Sequence, residues 1–284
     1  MSAVEKALRG CAITAGALIA LVVAMVLWYF HSLGPGPQPD VGKAARSATA
    51  ETADQALTAQ VDDRIGRLRT ALPWATYLGT AVADVCSTEE KPIAFVGVHE
   101  SWLPVTCTRT DTLYEAFDGD FRQHLAELDT VLADAGWRPG DLTLVPRRGG
   151  TPGLAAYFDR MHEPPRDPSP SEIARAAAEP NAASMFYTVP ITRDYTPPAA
   201  ANAPVADHQT RGRVEVTQAP RVPSLDGGQN AHDTMLRYPS VKTSYYRTWQ
   251  PYSPAQVAAA YPAHGAVIAI ELDVSYGTSP AVGP

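Results

Sequence analysis

The 284-residue sequence predicts an α+β fold: a mixed sheet with helices packed on one face, behind a single N-terminal transmembrane helix. Three patterns carry that expectation. Residues 12–30, AITAGALIALVVAMVLWYF, hold no charge and would make a helix of roughly 28 Å, close to the hydrocarbon thickness of a bilayer. Leu57, Val61, Ile65, Leu68 and Leu72 recur at helical spacing and mark one apolar face. Ile268, Ile270, Leu272, Val274 and Tyr276 alternate with Val267, Ala269, Glu271, Asp273 and Ser275, the period of a strand with one buried face.

The apolar run ends in Trp28, Tyr29 and Phe30, rings suited to the lipid–water boundary. Lys6 and Arg9 precede it, and the next basic residue is Lys43. The positive-inside rule therefore expects residues 1–11 as a cytoplasmic stub and the chain beyond residue 30 outside the cell membrane. A cleaved signal peptide would have an apolar core of about 7–15 residues followed by small residues. Bulky WYFH stands at that place, which favours a retained, single-pass signal-anchor. Leu8-Arg9-Gly10-Cys11 has lipobox-like spacing, but its apolar stretch follows the cysteine.

With Lys6, Arg9 and Glu5 set aside, the 23 basic and 30 acidic residues leave the outer part near −8. That balance disfavours nucleic acid and anionic lipid head groups as partners, since both need clustered Lys or Arg. Cys86 and Cys107 lie beyond the apolar run, and an even pair in an oxidising space reads as a structural disulfide. A redox pair would more often be C-x-x-C, which is absent.

The chain divides into a Pro/Gly/Ala-rich tether at 31–49, a first α+β unit at 50–146, a Pro-rich linker or insertion at 147–210 and a second α+β unit at 211–284. LGPGPQPDVG at 33–42 favours neither helix nor sheet. The helix over about 50–72 ends at Pro73, and its apolar face either docks on the domain or pairs with a second copy. Strands follow at 77–85, 92–98 and within 102–117. A helix at 121–135 has Asp118 or Asp120 to cap it and Gly136 to end it. Leu142–Val145 returns as a strand. In the Pro-rich stretch, Ser169-Pro170-Ser171-Glu172 is a capping box opening one short helix. Strands at 213–218 and 241–249 precede a second capping box, Ser253-Pro254-Ala255-Gln256, and the final strand at 267–276. The recurring order of strand, capped helix and strand raises the option of two related halves.

Trp102-Leu103-Pro104-Val105-Thr106-Cys107-Thr108-Arg109-Thr110, Tyr114-Glu115-Ala116-Phe117-Asp118-Gly119-Asp120, Leu128-Asp129 and Ala135-Gly136-Trp137 together cover about a third of the chain. This pattern resembles uncharacterised secreted or membrane-anchored proteins of actinomycete-type bacteria. The resemblance implies an envelope location and carries no activity or functional residue with it.

No catalytic signature stands in the sequence: neither G-x-S-x-G, H-E-x-x-H, a Walker loop nor G-x-G-x-x-G. Lys242-Thr243-Ser244 is near the K-T-G element of serine penicillin-binding enzymes, but no serine has a lysine three residues on. Asp111, Asp118 and Asp120 could serve a hard cation, yet capping accounts for Asp118 or Asp120. The seven histidines lack ligand spacing, so neither a metal nor a cofactor is expected. Tyr238, Tyr245, Tyr246, Trp249 and Tyr252 form the densest aromatic cluster. Tyr245, Tyr246, Trp249 and Tyr252 are the candidate ligand platform, for stacking on cell-wall glycan, against ordinary strand packing. The expectation is a non-enzymatic interaction or binding module of the envelope, whose partner is another envelope protein or a wall component. The alternative is an envelope-acting enzyme with a site assembled from residues far apart in sequence.

Overall fold

The computed structural model describes residues 21–28, 38–89, 102–140, 153–163, 168–190, 210–225 and 242–277. They fall into two units. Residues 21–28, 38–39, 88–89 and 102–103 belong to the first, and the other described residues to the second. In the first unit, residues 21–28 are helical and exposed, and the Leu103 N–H donates to the Glu89 carbonyl at 2.9 Å. Among the described residues no helix is long and apolar enough to cross a membrane. The rest of the 12–30 run lies outside them, as do the strands expected at 92–98 and 142–145.

The second unit is built on seven strands: β1 (Thr76–Glu89, its last two residues in the first unit), β2 (Thr106–Phe117), β3 (Arg138–Pro139), β4 (Ala182–Thr188), β5 (Arg211–Gln218), β6 (Lys242–Gln250) and β7 (Ala266–Gly277). They form one sheet in the order β3-β4-β5-β7-β2-β1-β6. The pairings of β1 with β2, β2 with β7, β7 with β5, β5 with β4 and β4 with β3 are all antiparallel. The expected mixed sheet is therefore corrected. Strand–helix–strand order implied parallel crossovers, but the helix after β2 carries the chain to β3 at the far edge, where it pairs antiparallel with β4. Strands from both expected α+β units, and β4 from the Pro-rich stretch between them, share this sheet.

Helices α1 (Val41–Ala45), α2 (Ala48–Ala71), α3 (Phe121–Asp134) and α4 (Leu154–Met161) contribute to the core on one face. The α2 stripe docks there, with Leu57, Val61, Ile65, Leu68 and the following Leu72 all buried. Phe121, Leu125, Leu128 and Leu132 of α3 meet Ile268, Ile270, Leu272 and Val274 of β7 in the same core. Asp120 caps α3, accepting from the Gln123 N–H at 2.6 Å. Gly136, at φ 79°, ends it: its N–H bonds the Ala133 carbonyl, while the Trp137 N–H bonds that of Leu132. That paired reversal is the Schellman stop, and glycine holds the left-handed residue without a Cβ clash.

Helices on one face alone is a second correction. The opposite side of β1, β2 and β7 carries Ala81, Tyr114, Ala116, Val267 and Ala269, and this apolar patch is covered by Val222, Leu225 and α6 (Pro254–Ala258). Ser253 opens α6 with the full reciprocal capping box. Helix α5 (Pro170–Ala178) starts likewise, the Ser169 N–H donating to Glu172 at 2.8 Å. Two elements depart from the local pattern. Helix α1 begins inside the stretch expected as tether, because Asp40 accepts from the Lys43 N–H at 2.8 Å. Helix α4 has no capping side chain of its own, since Asp129 of α3 accepts from the Leu154 and Ala155 N–H groups at 2.7 and 2.9 Å.

Cys86 and Cys107 face each other across β1 and β2, fully buried and at disulfide distance. Thiol labelling of the denatured, unreduced protein is expected to leave both unmodified, with Cys11 the sole reactive site. Modification of all three would remove the bridge.

Candidate functional site

Two arrangements of charge stand beneath and beside α2. The first arises because Asp54, Thr58 and Asp62 lie four residues apart, along a stripe next to the buried leucines. Below them the helix-facing side of the sheet presents Asp84 from β1, Arg109 and Asp111 from β2, Arg247 from β6 and Tyr276 from β7. Asp84 and Arg109 are cross-strand partners in the register of β1 and β2.

Arg109 sits at the centre. Its Nε lies 2.9 Å from Asp111 Oδ1, and its Nη1 donates to Thr58 Oγ1 at 2.9 Å. Asp54 and Asp62 stand 3.8 and 3.9 Å from the same guanidinium. Arg247 reaches Asp54 at 3.0 Å and Asp84 at 3.1 Å, and donates to the Ala45 carbonyl. The Tyr276 hydroxyl donates to both Asp84 oxygens, at 2.8 and 2.9 Å.

Asp84 is wholly buried, and that burial, helped by the Asp54 charge, pushes its carboxyl up to about 6 against the opposing pull of Tyr276 and Arg247. Burial also raises Asp111, with Arg109 pulling it back. Tyr276 is raised by burial and by the Asp84 charge next to it. Each of these charges is met by another member of the set. The arrangement joins α1, α2 and four strands by mutual neutralisation.

The second arrangement opens to solvent. A groove of about 500 Å³ lies at the C-terminal end of α2, lined by Gly66, Arg69 and Thr70 of that helix, Leu72, Pro73 and Ala75 of the turn after it, Tyr77 and Glu115. Glu115 is 2% exposed, although it lies on the helix-facing side of β2 between Leu113 and Phe117. Its neighbours in the sheet register are Tyr77 on β1 and Ile268 on β7. Its Oε2 is buried without a hydrogen-bond partner. Burial raises the carboxyl to about 7, with Arg69 drawing it down. The Arg69 guanidinium lies 3.7 Å from the centre of the Tyr77 ring, a cation–π contact on the groove rim.

The aromatic residues singled out in the sequence occupy different environments. Tyr245 packs on the helix-face core, under Arg46 at 5.1 Å. Tyr252 lies on the other face, stacked on Tyr114 at 4.9 Å and pressed against Gly79, where a Cβ would fall 2.5 Å from the ring. Tyr246 and Trp249 meet edge to face at 5.6 Å. Tyr238 lies outside the described residues.

The acidic candidates separate too. Asp111 belongs to the buried network, Asp120 caps α3, and Asp118 accepts from the Gly265 N–H at 2.9 Å. Among the described residues no group of three His, Cys, Asp or Glu side chains is placed to hold a metal. His124 stacks on Trp74 at 4.2 Å and bonds Glu127 at 2.9 Å.

Sequence reasoning passed over Glu115, Arg109 and Asp84. The signal for the first two lay in the alternation of β2, which sets Arg109, Asp111 and Glu115 on the same face as Cys107, Leu113 and Phe117. Three charges at apolar positions of one strand need a common explanation. Comparison with family models, curated proteins and solved structures finds no match for this chain.

Proposed function

We propose that the chain is a membrane-anchored extracytoplasmic binding module. In this reading residues 12–30 span the bilayer, residues 1–11 face the cytoplasm, and the α+β domain stands outside, where its partner is an envelope protein or wall component. The observation that carries the binding reading is the contrast between the two charged arrangements. The larger one lies beneath α2, and each of its buried charges stands within 4 Å of an opposite charge of the same set. The smaller one presents a buried carboxylate, with no ion pair among the described residues, to an open groove whose lining mixes polar and apolar groups that can fix a ligand's orientation.

Location is tested with intact protoplasts. Externally added protease is expected to remove the domain while a cytoplasmic marker survives, and the undigested protein should sediment with membranes. Protection of the domain, or a soluble product beginning after residue 30, would overturn the topology.

A further inference from the structure

We propose that the groove over Glu115 binds the zwitterionic head group of an α-amino acid, with Glu115 taking the ammonium, Arg69 the carboxylate, and the turn after α2 the side chain. The inference starts from two opposite charges that share a groove without touching. Arg69 influences Glu115 electrostatically, yet among the described residues they make no ion pair, and Glu115 Oε2 has no hydrogen-bond partner. A buried carboxylate without donors is costly. An ammonium carries three donors and a full charge, and so supplies both things this carboxylate lacks.

A carboxylate on the same ligand carbon would then lie toward the rim, where the exposed Arg69 fork offers paired donors. Leu72, Pro73 and Ala75 give the groove an apolar wall, and its volume of about 500 Å³ suits a small molecule. The charge acting on Glu115 is Arg69 from α2; its register partner on β1 is Tyr77, whose hydroxyl is hydrogen-bonded with Thr80 at 3.2 Å, and β7 places the uncharged Ile268 opposite it. Because the carboxyl sits near 7 when the groove is empty, ammonium binding draws it down and releases a proton. Affinity for the zwitterion is therefore expected to rise about tenfold between pH 6 and pH 8.

Gly66 provides a steric test that leaves the fold intact. A Cβ added there meets nothing within 4 Å, and leucine is a better helix former than glycine. Gly66→Leu thus adds bulk to the groove lining from a position where its Cβ is unobstructed.

The proposal deepens the binding-module reading, and the two fail separately, since protease protection bears on location and ligand preference on this site. The experiment titrates the protein with L-leucine, with 3-methylbutylamine, which lacks the carboxylate, and with 4-methylpentanoate, which lacks the ammonium. Leucine is expected to bind at least tenfold more tightly than either. Glu115→Gln should reduce leucine to the level of 4-methylpentanoate and abolish the pH dependence. Arg69→Met should reduce it to the level of the amine, and Gly66→Leu should abolish binding with an unchanged circular-dichroism spectrum. Equal binding of all three compounds, no binding of leucine at millimolar concentration, or undiminished binding by Gly66→Leu would each overturn the proposal.

Discussion

Arg109→Leu is expected to destabilise the domain by about 3–5 kcal/mol, the cost of leaving a buried charge without its partner. Among the described residues Arg109 is the sole cation within 4 Å of Asp111, which is 2% exposed, and it also faces Asp54 and Asp62. Without it the charge on Asp111 is uncompensated, and Thr58 loses a donor. Against a typical total of about 5–15 kcal/mol, that loss is enough to shift the denaturation midpoint severely. The double variant Arg109→Leu/Asp111→Leu separates pairing from packing. If the pair matters through neutralisation, removing both charges should recover most of the loss, because an apolar pair of similar volume often matches a buried ion pair. Chemical denaturation of the parent, Arg109→Leu, Asp111→Leu and the double variant gives the coupling energy. A single variant as stable as the parent, or a double variant no better than the single, would mean that Arg109 is not the hub of the network.

Glu115→Gln acts in the opposite direction and only in one pH range. The folded-state carboxyl is raised from an ordinary 4.5 to about 7, so the folded protein holds this proton more firmly than the unfolded chain does. The stability linked to Glu115 is fully present below about pH 4.5 and lost as pH rises through about 7. At pH 5 the buried group is neutral and the amide substitution should change little. At pH 8 it is charged, and the substitution should stabilise the protein by about 2–3 kcal/mol. Asp84, raised to about 6, has the same sign over a lower window, but Arg247 and Tyr276 hold it in place. Denaturation curves for parent and variant across pH 5–8 check the prediction. A difference independent of pH would place the Glu115 charge in contact with water.

A groove that costs stability when empty would regain it when occupied, because a ligand that binds only the folded state adds to its stability. The leucine titration and the denaturation series therefore read one carboxylate from two sides.

Much of the fold is legible where one strong pattern meets one local requirement. The α2 stripe, the alternation of β7, the capping boxes at Ser169 and Ser253 and the glycine stop at Gly136 all follow from neighbours within a turn or two. Helix α4 does not, because its cap, Asp129, stands 25 residues away on another helix. Strand β4 hides for a related reason. Its alternation of buried Ala183, Met185 and Tyr187 is blurred by Phe186, an exposed ring that Arg213 covers at 5.2 Å.

The charged arrangements are harder still to read. Arg247 meets Asp54 across 193 residues, and Tyr276 meets Asp84 across 192. No spacing rule reaches so far. What the sequence does offer is a discord, charged residues on the inward face of a strand, and that discord points to the Glu115 groove better than the aromatic cluster does.

The position of β7 sets the order in which the protein can be made. The last described strand in the chain lies between β2 and β5, with β1 and β6 on one side and β4 and β3 on the other. Without residues 266–277 the other strands fall into two groups, β6-β1-β2 and β5-β4-β3, whose β2 and β5 edges then lack a partner. Assembly of the sheet must wait for residues 266–277 to be synthesised, a topology dominated by distant contacts and slow to form. During that interval the two open edges are the parts of the chain that a chaperone would need to shield.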